Sequence, residues 1–458
     1  MALLVLGFGR VYSDFVQDDA YITYRYARNL TSGLGFVYNE GEQVLGTSTP
    51  LYVLTLALLS SVARQSVPEV GVALGQVSLW TAGIVIYTLG RKLGPARSAV
   101  ASLFLLTSPF LRHMVGMEAF FLLALLLLAT WAFLQERLGL AALLLGALVL
   151  VRYEMSIYAL VLALVGFVRA RRSPVWLWPA APIIAAWAAI AFLWFGSPIP
   201  LSVPAKLATI RIPFAAGFLF YEAAFTRENP SWAVHGLFLI MGIAYMILRR
   251  NAPRAYELLV LWALTYFVLA SVVAGSFPWY YAPLLPGIAA SIAWGVDQVA
   301  RRLTIHQDSS SKLPQRVFLV LSGVVVGASL VFWVRDWRDY RGGAFDHRFE
   351  AFRQASDWLR QHASAEATLA ASEIGYVGYF TDMHIVDLYG LVTPGVHPWL
   401  PRGLDFTTSQ ALEAYAPDYY LVLARAAPPE QQMRDAGYSM AASFSDDYLL
   451  FEKTATGE

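Results

Sequence analysis

Residues Glu118–Glu154 read EAFFLLALLLLATWAFLQERLGLAALLLGALVLVRYE, and between Glu118 and Arg152 the only charged side chains are Glu136 and Arg137. A helix needs about 20 predominantly apolar residues to cross the hydrocarbon layer of a bilayer. The run from 118 to 135 meets that length. The run from 138 to 151 is shorter, and flanking charge makes it the return crossing: basic Arg137 sits at the shared turn, and Glu118, Arg152 and Glu154 sit at the opposite ends.

Working outward, similar runs fall at 69–90, 97–112, 155–168, 175–195, 234–249, 255–274, 279–299 and 316–334. The chain is 57% hydrophobic and 14% charged, whereas soluble domains carry about 25% charged residues. The expected fold is therefore an α-helical polytopic membrane protein with about 10–11 transmembrane helices. Arg91-Lys92, Arg137, Arg169 to Arg172, Arg249 to Arg254, and Arg301-Arg302 with Arg316 occupy alternate junctions. The positive-inside rule puts those junctions in the cytoplasm and the others outside. Residues 1–9 are apolar but too few to span, and a truncated first helix is the expected reading. The run from Leu51 to Val62 would invert every later helix if it crossed, so it is expected to lie in the outer leaflet.

After Trp333 charged residues return. Strand-like runs follow at Thr368 to Phe380, His384 to Leu391, Tyr419 to Leu423 and Tyr448 to Glu452, with a helix-like stretch near Phe349 to His362. The expected division is a transmembrane region over 1–334, with an external loop over 10–68, and a small extracytoplasmic α/β domain over 335–458. The near-neutral net charge of +1 offers no nucleic-acid partner, and with no cysteine there is neither a disulfide nor a thiolate nucleophile. No Walker loop, dinucleotide fingerprint, HExxH or GxSxG occurs, so no nucleotide cofactor is expected.

The chemistry-bearing segments all fall on the side assigned outside. Asp18-Asp19 precede Ile22, Tyr26 and Leu30 at four-residue spacing, with Arg25 and Arg28 on another face, as in an interfacial helix. One Asp would suffice as a cap. Two point to a catalytic or metal role, with Asp19 first and Asp18 second. Glu118 stands at the outer mouth of its helix, where a carboxylate beside hydrocarbon is a functional candidate by default. Arg152 and Glu154 can form an internal ion pair or contact substrate. Lys206 closes a loop extended by Pro198, Pro200 and Pro204, and can meet a phosphate or snorkel to the interface. Phe277-Pro278-Trp279-Tyr280-Tyr281 suits an aromatic belt.

The run from Asp18 to Asn29, continuing through Gly33-Leu34-Gly35-Phe36-Val37-Tyr38-Asn39 and Gly41-Glu42, resembles the first external loop of the GT-C membrane glycosyltransferases, including bacterial terminal arabinofuranosyltransferases. Gly116-Met117-Glu118, Gly196-Ser197-Pro198 to Lys206, Glu373 to Phe380 and Asp387 to Leu391 are also similar to family segments, so the resemblance spans nearly the whole chain. Trp279 stands where relatives often carry a basic residue, and the loop after Pro198 lacks their Asn, which leaves Lys206 as the match there.

This resemblance implies a polyprenyl-phosphate sugar donor, an Asp of the acidic pair as base, a second acidic site at Glu118, and a C-terminal domain that helps hold the acceptor. The expected partners are the lipid-linked donor, membrane lipids and an envelope glycan, lipid or protein acceptor, at a bacterial inner membrane. Asp19 and Asp18 are the expected catalytic residues. Lys206, Arg152, Glu154, Arg25 and Tyr280 are the expected substrate contacts, and Asp18 with Glu118 would hold a divalent cation such as Mg, Mn or Ca. A transporter or lipid flippase would instead place charges near the bilayer midplane and show paired repeats, neither of which is seen. A noncatalytic envelope-assembly protein would tolerate loss of the acidic pair.

Overall fold

A computed structural model describes residues 1–12, 15–209, 232–249, 252–273, 277–305, 312–341, 348–364, 366–445 and 447–454. The chain divides into two compact units: one comprises Met1–Val16, Val72–Ala185 and Ile212–Arg338, the other Gln17–Gly71, Ala186–Arg211 and Asp339–Glu458.

The first unit is helical, and helices occupy all of the expected spans. Leu138–Val151 matches its expected bounds; Val67–Gly90, Ala119–Leu134 and Trp232–Arg249 shift by a residue or two at their ends. Three spans differ for reasons of proline: 175–195 opens as the 3-10 segment Pro174–Ala180 and turns α-helical only at Ala181. The helix Pro95–Thr107 stops short of residue 112 because Ser108 precedes Pro109, and a residue before proline is pushed out of the α region; Ser108 has φ −57° and ψ 129°. A 3-10 segment, Pro109–Met114, follows. Likewise Pro278–Leu284 is 3-10, and the α-helix begins only at Leu285. Val67–Leu93, Tyr153–Ala170, Pro174–Phe195, Arg254–Ser271 and Leu313–Asp339 are long and apolar enough to cross a membrane. Leu160, Leu164, Phe167, Val320 and Val331 lie exposed on them, as lipid-facing positions must. Helices 232–249 and 285–303 meet through glycines: a Cβ on Gly242 would lie 1.9 Å from the Ser291 carbonyl, and one on Gly295 2.1 Å from that of Phe238. The chain is a multi-pass membrane protein.

The second unit carries a five-stranded sheet: β1 (Thr368–Ala371), β2 (His384–Asp387), β3 (Tyr419–Leu423), β4 (Tyr438–Phe444) and β5 (Tyr448–Lys453), ordered β2-β1-β3-β5-β4. β1 runs parallel to β2 and β3; β5 runs antiparallel to β3 and β4. Ala370, Val386, Tyr420, Val422 and Phe451 form the sheet core with Ala411 of the helix Leu404–Tyr415. Two expected strands are shorter than the apolar runs. Thr368 to Phe380 is a strand only to Ala371 and then a helix over Gly375–Thr381, and His384 to Leu391 ends as a strand at Asp387. β4, with its exposed Ser439 and Met440, had no apolar signature to announce it. The same unit contains the acidic-pair helix Asp18–Thr31 and the helix Pro50–Ala63.

Candidate active site

In the helical unit, four of the expected site residues converge although they are far apart in sequence. The Val151–Tyr153 break leaves Arg152 extended at φ −154°, between two helices, and aims its guanidinium inward. Arg152 Nη2 lies 2.6 Å from Glu154 Oε1, and Nη1 lies 3.8 Å from Glu118 Oε1 and donates to the Trp279 carbonyl at 3.3 Å. The Tyr280 ring sits under the guanidinium, 4.7 Å from its carbon. Tyr266 donates to the Tyr280 carbonyl at 2.9 Å, fixing the turn that presents this ring. Arg152 and Glu118 are buried, whereas the Glu154 side chain is 37% exposed and forms the open face. Two carboxylates around one guanidinium leave the group with a formal charge of −1. Such a group suits hydroxyl donors better than a phosphate.

A neighbouring network in the same unit had no counterpart in the sequence reading. Asp336, buried near the end of the last apolar helix, accepts from Tyr12 and pairs with Arg112, whose Nε donates to His113 Nε2 at 3.0 Å. A carboxylate at the end of so apolar a run was the available signal.

The ion pairs of this unit also sort by junction. Arg172 pairs with Glu136, Arg169 with Glu257, and Arg97 and Arg301 with Asp297. Each pair joins junctions that the charge pattern assigns to one side. From the other side, Glu118, Arg152 and Trp279 come together, as do Arg112 and Asp336.

The second unit holds the acidic pair. Asp18 and Asp19 are the first two residues of their helix, and Gln17, not either Asp, is the N-cap. The Asp18 carboxylate accepts from the backbone N–H of Gly375 at 3.0 Å and of Tyr376 at 2.7 Å. Burial pushes its carboxyl up to about 7; the two N–H donors oppose this, while Glu373 and Asp19 add like charge. Glu373 is in turn held by Arg348 at 3.0 Å and by the Tyr448 hydroxyl. Asp19 is half-buried beside Asp18.

The interfacial-helix expectation is corrected here, because the polar face of Asp18–Thr31 is buried. Arg25 is 3% exposed; its terminal nitrogens donate to the carbonyls of Gly378 and Met383, both at 2.8 Å, and its guanidinium stacks 4.2 Å from the Tyr38 ring centre. Arg28 donates to the Tyr379 carbonyl at 2.6 Å and pairs with Asp382. Carbonyls that would otherwise need water take these charges instead. Asn39 forms a two-way bond with Ile385 of β2, donating to its carbonyl and accepting from its N–H, both at 3.0 Å. Tyr38 donates to the Ile374 carbonyl at 2.6 Å. Downstream, buried Asp387 gathers the N–H groups of Tyr389, Leu391 and Val392. Lys206 lies in the helix Ser202–Thr209, but its side chain falls outside the described residues.

Asp18 and Glu118, the expected cation ligands, belong to different units. Among the described residues no three His, Cys, Asp or Glu side chains converge to hold a metal ion.

The fold has relatives among solved structures. ArnT from Cupriavidus metallidurans in the apo state superposes with a TM-score of 0.62 at 14% identity, covering 98% of this chain and 97% of that one. The same protein bound to undecaprenyl phosphate gives 0.60 at 13% identity, covering 99% and 98%. Residues 338–456 match the family described as Domain of unknown function (DUF8728). No curated protein matches the chain. From end to end, the chain has the fold of ArnT.

Proposed function

We propose that this protein is a membrane glycosyltransferase that moves a sugar from a polyprenyl-phosphate-linked donor to a hydroxyl of a cell-envelope glycan, lipid or protein. The observation that carries the proposal is the match in fold, over nearly the full length of both chains, to ArnT bound to undecaprenyl phosphate. The basic junctions support a bacterial inner-membrane location with the sheet domain and both charged sites outside.

The reaction forms a bond from the acceptor oxygen to the anomeric carbon and breaks the bond from that carbon to the phosphate oxygen. The acceptor hydroxyl gives up its proton to a base, and the electron pair leaves with the phosphate. The acidic pair supplies the base. Asp18 moves ahead of Asp19 in this role because its carboxyl is poised near neutral pH, and two N–H contacts leave lone pairs for an acceptor hydroxyl. The Glu118–Arg152–Glu154–Tyr280 group binds sugar hydroxyls through its open carboxylate and ring face, and Lys206 meets the departing phosphate as a compact cation. Arg25, spent on two carbonyls, holds the fold of its own unit instead of touching substrate.

The test is sugar transfer from a polyprenyl-phosphate donor in membranes carrying the wild type or inactive controls, read by mass spectrometry of the product. Transfer is expected; donor movement across the membrane without transfer would sink the reading in favour of a transporter.

A further inference from the structure

The segment Glu373 to Phe380 has a glycine at 375 and another at 378. Both mark contacts too close for any side chain. A Cβ on Gly375 would lie 1.8 Å from the Asp18 carbonyl oxygen and 2.8 Å from its carboxyl carbon. One on Gly378 would lie 2.0 Å from the Tyr38 hydroxyl and 2.9 Å from Arg25 Nη1. The two glycines thus admit different parts of the first loop. Gly378 admits the residues that fasten it, and Gly375 admits Asp18 itself.

We infer that the Gly375-Tyr376 step of the C-terminal domain is a positioning element for the reaction, whose two backbone N–H groups fix the Asp18 carboxylate in its working orientation. A carboxylate rotates freely unless both oxygens are held. Here Oδ2 meets the Gly375 N–H and Oδ1 the Tyr376 N–H, so the plane of the carboxyl is set by backbone from the far end of the chain. A base displaced by about 1 Å can lose a hundredfold in rate, which gives the arrangement kinetic weight beyond its contribution to folding. This inference rests on the proposed transferase activity and on Asp18 as its base.

Backbone donors can be deleted one at a time. Tyr376 is the second residue of the helix Gly375–Thr381, a position whose N–H makes no bond within the helix and where proline is tolerated. Tyr376→Pro therefore removes the ring and the N–H, while Tyr376→Ala removes the ring alone, together with its packing on Tyr21, Phe352 and Phe380. With rates normalised to folded protein, the expected result is a kcat for Tyr376→Pro at least tenfold below that for Tyr376→Ala, with the same KM for the donor. Gly378→Ala serves as the control for loosened docking and is expected to lower the folded fraction without this loss in kcat. Equal kcat for the proline and alanine variants, or a loss as large in Gly378→Ala, would overturn the inference. If the wild type transfers no sugar, or Asp18→Asn keeps its full rate, the underlying reading falls and takes the inference with it.

Discussion

The two units satisfy their buried charged residues in different ways. In the helical unit, charges meet charges: Arg152 lies between Glu118 and Glu154, Arg112 holds Asp336, and Asp297 takes Arg97 and Arg301. In the other unit, ion pairs such as Arg353–Glu350 and Arg434–Glu430 lie on the exposed surface, and the side chains of the first loop meet backbone instead: Arg25, Asn39 and Asp18 bind carbonyls or N–H groups more than 340 residues away. The difference teaches that the stretch with the most distinctive sequence is largely a fastening device. Less distinctive stretches, Val151–Glu154 and Phe277–Tyr281, assemble an open charged site.

The comparison breaks most sharply at Asp18 and Asp19. The double variant Asp18→Asn with Asp19→Asn is expected to lower transfer by about 10²- to 10⁴-fold, the usual span for a general base. Asn keeps the shape, but its amide nitrogen faces one of the two backbone N–H groups that the Asp18 carboxylate accepts from, at a cost of about 1–3 kcal/mol, so rates are compared per amount of folded protein. Single variants assign the base: Asp18→Asn is expected to carry most of the loss. The rate itself is expected to fall as pH drops through about 7, where the Asp18 carboxyl takes up its proton. Stability moves the other way. Because the folded carboxyl is raised from its ordinary 3.8, its contribution is full below that value and is lost as pH rises through about 7. A rate profile flat from pH 5 to 8 would remove Asp18 as the base.

The next effect is on the helical unit. Arg152→Met leaves buried Glu118 without its compensating charge, and breaking a buried pair from one side costs about 3–5 kcal/mol. Adding Glu118→Gln is expected to recover much of the loss, as read by thermal unfolding in detergent. No recovery would show that Arg152 matters through Trp279 and Tyr280 instead. In the other unit, Asn39→Ala leaves the N–H and carbonyl of Ile385 unpaired, at about 1–3 kcal/mol. Hydrogen exchange is expected to speed up at Ile385 and its β2 neighbours while the helical unit keeps its protection. The smallest effect is expected at Lys206: Lys206→Ala should raise the donor KM and leave the thermal midpoint in place. An unchanged KM would make it a snorkelling side chain.

Legibility followed the physics of each region. Apolar length and flanking charge located the membrane helices because lipid enforces both, and the junction-by-junction ion pairs agree with the resulting map. The proline-limited ends at Thr107 and Leu285 were also written in the chain, at Ser108-Pro109 and at Pro283 and Pro286. What escaped was anything decided by distant partners. Thr368 to Phe380 has strand composition throughout, yet from Gly375 it turns helical, where its two glycines admit Asp18, Tyr38 and Arg25. Arg25, expected to contact substrate from the polar face of an interfacial helix, is buried because carbonyls more than 350 residues away accept hydrogen bonds from its guanidinium. The Glu118–Arg152 contact was named residue by residue but not as one site, since nothing local joins positions 118, 152 and 280.

The bond between Asn39 and Ile385 has a consequence for the sheet's neighbours. β2 is an outer strand, and an outer strand with bare N–H and carbonyl groups recruits strands from other molecules. One amide side chain, imitating a single residue of a sixth strand, blunts that edge without adding a strand of its own. A fragment cut to the matched segment, 338–456, would lose Asn39 and expose the edge. It is therefore expected to self-associate through β2, and adding back a peptide of the first loop should suppress this.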